Sequence, residues 1–142
     1  MKKILRTLAI AAVTFLSING AQAQNIHFVD GPVSTDNGTT LTVCGKVAGL
    51  GNNQGINITV ITTATISTEC TNPGGNVAPG QSRTETLTYT KKFFSDKNGS
   101  VSFCLSSLEQ KPGICPNGKW TGRVTDVQFV STKVLVDGKQ IN

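Results

Sequence analysis

Little in this chain equips it for chemistry. It has one His, one Trp, one Tyr and one Met, with aromatic residues at 6% and charged residues at only 15%. With a single imidazole, a Ser or Cys nucleophile would have to use His27 as its base. His27 stands in a short apolar run near the start of the mature chain, where a surface histidine is the simpler reading. There is no G-x-S-x-G elbow. There is also no C-x-x-C pair, which with one histidine argues against a zinc site. Beyond the first two dozen residues no long apolar run occurs, so membrane insertion is not expected. Neither an internal repeat nor a low-complexity tail is visible.

What is present starts with a leader. Lys2, Lys3 and Arg6 form a basic head, residues 8–16 are apolar but for Thr14, and Ala21-Gln22-Ala23 is a small-x-small cleavage pattern. Residues 1–23 therefore read as a secretory signal peptide cut after Ala23, of bacterial type, with a mature domain over 24–142. Losing the leader leaves ten Lys and Arg against eight Asp and Glu. A net charge of +2 spread along a chain is no footprint for nucleic acid or an anionic membrane. The expected location is periplasmic or secreted.

The mature chain is rich in Thr, Val, Gly and Asn, a composition that favours strands and turns. Its plainest signal is "INITVITTATISTEC" (56–70). Ile56, Ile58, Val60, Ala64 and Ile66 share one face, while Asn57, Thr59, Thr63, Thr65, Ser67 and Glu69 share the other. Ile61 and Thr62 break the pattern. Further strands are expected in 26–29, which should end at Asp30-Gly31-Pro32, in "TTLTVCGKV", in "TETLTYTKKFF", in "SVSFCLS", in "WTGRVTDVQF" and in "TKVLVDG". In "WTGRVTDVQF" Trp120 and Val124 lie on one parity and Val127 and Phe129 on the other, which predicts a bulge near Asp126. Seven strands and no helix give an all-β, single antiparallel Greek-key β-sandwich, immunoglobulin-like or prealbumin-like. A small closed barrel is the alternative.

Four cysteines in an exported chain read as two disulfides with three possible connectivities. Cys44 and Cys104 share the non-core parity of two strands, whereas Cys70 and Cys115 open or occupy large loops. Like environments pair most simply as Cys44–Cys104 and Cys70–Cys115. On that pairing "CTNPGGNVAPGQ" (70–81), punctuated by Gly and Pro, is a corner pinned against "CPNGKW" (115–120). A pinned loop end is where sandwiches commonly carry function, and a mere staple of the fold is the plainer reading. The residues of a binding surface there would be Asn72, Asn76, Gln81, Asn117, Lys119 and Trp120, with Trp120 the better candidate for a core residue than for an anchor.

The motifs "GKVAGLG" (45–51), "CTNPGG" (70–75), "PGQ" (79–81), "KNGSVSF" (97–103) and "CPNGKW" (115–120) together resemble a group of small exported bacterial proteins without an assigned activity. The resemblance covers nearly all of the mature chain and implies a one-domain β-sandwich with no catalytic residues to carry over. Cys44 and Cys104 stand outside the shared pattern.

Other chemistry is weaker. Asp30, Asp36, Glu69, Glu85, Glu109, Asp126 and Asp137 form no suggestive carboxylate pair, with Asp126 beside the expected bulge the first to inspect. "DKNG" (96–99) has the start of a calcium loop but runs straight into "SVSF", so a hairpin turn is expected. Asn37, Asn57 and Asn98 match a glycosylation pattern that is common by chance. The expectation is a non-enzymatic exported binding domain without metal or cofactor, its partner a protein, a glycan or a cell-envelope component. A small secreted hydrolase or hydrolase inhibitor, or a structural envelope or extracellular subunit, are the alternatives.

Overall fold

The computed structural model describes residues 25–142; the leader and its cleavage site lie outside the described residues. Eight strands follow in chain order: β1 (His27–Asp36), β2 (Leu41–Ala48), β3 (Gly55–Thr71), β4 (Val77–Pro79), β5 (Arg83–Phe94), β6 (Val101–Ser106), β7 (Thr121–Val136) and β8 (Lys139–Gln140). No helix occurs among the described residues, and so none long and apolar enough to cross a membrane. One sheet runs β1-β2-β6. The other is built on β3, flanked by β7 on one side and by β5 and the short β4 on the other, with β8 beyond β7. Every pairing is antiparallel.

The strand count differs from the expected seven at three places. The two segments at 120–129 and 132–138 are one strand, β7. The corner loop and the C-terminus each supply a very short strand, β4 and β8. Nor does β1 stop at Asp30-Gly31-Pro32: it passes through them by shifting register against β2 and resumes pairing at Val33.

Along β3 every even-numbered residue from Ile56 to Cys70 is buried and every odd one is more exposed. Thr62 thus sits in the core despite its hydroxyl, which is matched by Thr132 Oγ1 at 3.2 Å. A buried hydroxyl with such a partner avoids most of the cost of leaving water. Ile61, by the same parity, faces outward.

In β7 the burial parity changes twice, and each change falls at a register shift. Asp126 pairs with Ser67 and Val124 with Thr68, leaving Thr125 as the extra residue; Phe129 pairs with Ala64 and Ser131 with Thr63, leaving Val130. The first bulge is the one the sequence predicts. The second returns Thr132, Val134 and Val136 to the inner face. It was hidden because Val130 is apolar yet exposed.

The two sheets close on one main core. Leu41, Val43, Val47, Val101, Phe103 and Leu105 come from the smaller sheet, and Ile56, Ile58, Val60, Val134 and Val136 from the larger. Full burial of each such side chain stabilises by roughly 1.5–3 kcal/mol. The smaller sheet covers only one end of β3. Beyond Thr62 a second, minor cluster of Ala64, Ile66 and Val127 takes over, at the end of β3 that carries the pinned loops.

Candidate functional site

At that end the strand β3 delivers Thr68 and Cys70 to the inner face, both buried. Cys70 is bonded to Cys115, with Cα atoms 5.8 Å apart. The segment 107–120 therefore lies across the sheet as a strap. Thr68 holds it at a second point: the Gly113 N–H donates to Thr68 Oγ1 at 2.7 Å. Two glycines allow the close approach. A Cβ on Gly80 would sit 2.8 Å from Thr68 Cγ2 and 2.9 Å from Cys70 Sγ, and one on Gly113 would meet the backbone carbonyl of Gln81. The Gly80 N–H also donates to the Thr68 carbonyl at 2.7 Å. Corner, strand and strap are thus joined by one disulfide and two hydrogen bonds.

The second disulfide, Cys44–Cys104, joins directly opposed residues of β2 and β6. Both bonds match the pairing expected from strand parity. No free cysteine remains among the described residues.

The expected site residues divide by role. Asn72 accepts the Asn76 N–H through Oδ1 at 2.8 Å, while its carbonyl accepts the Gly75 N–H at 2.9 Å. Asn117 accepts the Lys119 N–H through Oδ1 at 3.0 Å. Both asparagines therefore close their own turns. The side chains of Asn76, Gln81 and Lys119 are exposed. Trp120 is half-buried and belongs to neither apolar cluster. Its favoured place in the core is thus not observed, because it stands at the rim where the strap rejoins β7.

Two faces of the sheet end carry these groups. On the outer face, Asn72 and Lys119 line a shallow groove of about 470 Å³ with Glu69, Thr71, Thr121 and Arg123. The odd-numbered residues of β3 and, ahead of the first bulge, Thr121 and Arg123 of β7 point there, and Arg123 Nη2 donates to Glu69 Oε2 at 2.6 Å. On the strap side, Gln81 lines a groove of about 420 Å³ with Pro79, Ile114 and Pro116. The structure does not bring the six residues into one site. Sequence reasoning missed Ile114, 77% exposed, although an apolar residue next to a loop cysteine could have signalled it.

Electrostatic tuning is slight. The carboxyl of Asp96 is held below the ordinary aspartate range, first by the Ser100 N–H, then by the Asn98 N–H and by Lys46 and Lys97. Its Oδ1 accepts those two N–H groups at 3.0 and 2.9 Å. The "DKNG" carboxylate is therefore engaged with its own hairpin turn. Burial pushes the Tyr89 hydroxyl up. Asp126 is exposed beside its bulge, and no group of three or more His, Cys, Asp or Glu suited to a metal occurs among the described residues.

Comparison of the chain with protein-family models, with curated proteins and with solved structures finds no match.

Proposed function

We propose that this chain is an exported, non-enzymatic binding domain whose contact surface is the Cys70–Cys115 end. The observation that carries the reading is the pinning of the strap against the corner by Cys70–Cys115 and by the bond from Gly113 to Thr68. Such pinning lowers the ordering cost of binding, since the loops are arranged before a partner arrives. The partner is a protein, a glycan or an envelope component, engaged through Gln81 and Ile114 on one side or Asn76 and Lys119 near the other. Two disulfides fit an oxidising location outside the cytoplasm. Within the sandwich class, crossings between sheets from β2 to β3, from β5 to β6 and from β6 to β7 support an immunoglobulin-like or prealbumin-like arrangement.

A hydrolase inhibitor is the second reading. Ile114, exposed on a disulfide-tied strap, is the kind of rigid apolar protrusion that fits a protease subsite.

Labelled mature chain on a glycan array and on isolated bacterial envelope tests the first reading; inhibition of a panel of purified secreted hydrolases tests the second. Binding should fall with Gln81→Ala, Ile114→Ser or Lys119→Glu and persist with Lys133→Ala. Binding that survives all three loop changes would place the contact surface elsewhere. Turnover of a substrate by the chain would end the non-enzymatic reading.

A further inference from the structure

Open sheet edges invite other strands, and proteins guard them with bulges, prolines, charges or short length. Besides the three-residue β4 and the two-residue β8, four strands have an edge without a partner over most of their length among the described residues. Here β1 is guarded by two register shifts and Pro32, and β7 by its two bulges. The strand β6 is only six residues long. The fourth, β5, is twelve residues long, pairs with β3 without a register shift, and contains neither Pro nor Gly. Its guards are charges alone: Lys91-Lys92 toward one end and the ion pair of Arg83 with Glu85, Nε to Oε2 3.3 Å, at the other.

We infer that the β5 edge is the contact by which a second copy of this chain pairs, antiparallel, across a two-fold axis at Thr88. Backbone groups that face an edge alternate along a strand, so a strand meeting its own copy must place residues of equal parity opposite each other. The axis then falls on a residue. Centred on Thr88, the pairing sets Glu85 against Lys91, Leu87 against Tyr89, Arg83 against Phe93 and Thr86 against Thr90. Charges are matched, apolar groups meet, and a guanidinium lies by a ring. Centring one residue later sets Glu85 against Phe93 and Leu87 against Lys91. Centring one residue earlier sets Arg83 against Lys91. Only the Thr88 register answers the lysine guard with an acid.

The inner face of β5 agrees with this partner. Leu87 and Tyr89 pack against core clusters but stay half-exposed. With Leu108, 81% exposed, they line a groove of about 430 Å³ at this edge. A second β5 would give both side chains an apolar neighbour. Because Arg83 of one copy lies by Phe93 of the other, the two Cys70–Cys115 ends would point in opposite directions. The pair would be a two-headed unit, and this holds whether or not those ends bind anything. Edge pairing buries a small area, so the dimer should depend on concentration.

Sedimentation equilibrium of the mature chain, with three variants, tests this. Glu85→Lys alone and Lys91→Glu alone should each raise the dimer dissociation constant by about tenfold, since two equivalent pairs per dimer become repulsive. The combined exchange should restore it. Within one chain the two residues lie about 20 Å apart along the strand, so restoration reports contact between copies. Thr88→Cys should give a covalent dimer on oxidation, because directly opposed Cα atoms fall about 4.5–5.5 Å apart. Thr84→Cys, about 27 Å from its own copy in this register, should not. A chain monomeric at every concentration overturns the proposal, as does one that binds only an unrelated extended peptide at this edge. A dimer indifferent to the charge exchange, or without a cross-link at position 88, overturns the register.

Discussion

The two ends of β3 are held by different means. From Ile56 to Val60 the strand is covered by a second sheet, and eleven fully interlayered strand positions plus Leu50 make a continuous aliphatic core. From Ala64 to Cys70 the buried apolar cluster shrinks to Ala64, Ile66 and Val127, and the irregular strap is attached at Thr68 and Cys70. A sheet brings a whole face of side chains at the right spacing. A strap brings few, so its attachment depends on sulfur and on hydrogen bonds at Cys70, Thr68 and Gly80. The sheet-covered end carries the turns at 49–54, 95–100 and 137–138, whereas the other end carries the corner and the strap tied to it.

The contrast can be broken at four points. Ile58→Ala, in the sheet-covered core, should lower unfolding free energy toward the upper end of about 2–5 kcal/mol, and Ile66→Ala toward the lower end, because the strap can settle into the space. Equal losses by urea titration would show that strap and sheet pack alike. Replacing Cys70 and Cys115 together by Ala should cost about 4 kcal/mol by loop-closure entropy over a separation of 45 residues. Amide exchange should then rise in 107–120 while β2 and β6 stay protected. Thr68→Val removes the acceptor for the Gly113 N–H and should cost about 1–3 kcal/mol. The smallest effect concerns the far end. The Asp96 carboxyl is depressed in the folded chain, so its contribution is present above the ordinary aspartate pKa and is lost as pH falls through the lower folded value. Asp96→Asn should flatten that acid limb of the stability profile and leave the strap's amide exchange unchanged.

Much of the fold was legible. The alternation in β3 outside Ile61 and Thr62, a bulge near Asp126 and both disulfides follow from parity, because a strand has a period of two and a cysteine's face limits its partners. Legibility failed where a local signal misled. Asp30-Gly31-Pro32 reads as a stop, yet β1 absorbs it by a register shift because it is an edge strand with one free side. Thr62 reads as an exception to the core and is part of it, since its hydroxyl partner, Thr132, is seventy residues away. The expected site residues all lie at the Cys70–Cys115 end, but their division between two faces was not readable, nor was the spending of the Asn72 and Asn117 side chains on their own turns.

By itself, the order of residues determined most of the inward positions along the strands, which cysteines share an environment, and most of the turns. These are consequences of side-chain spacing and backbone conformation over a few neighbours. Tertiary structure alone decided how far the second sheet extends over β3, what the strap covers, and which edge stays open. Those outcomes depend on contacts between segments distant in sequence, whose lengths and angles no local pattern encodes.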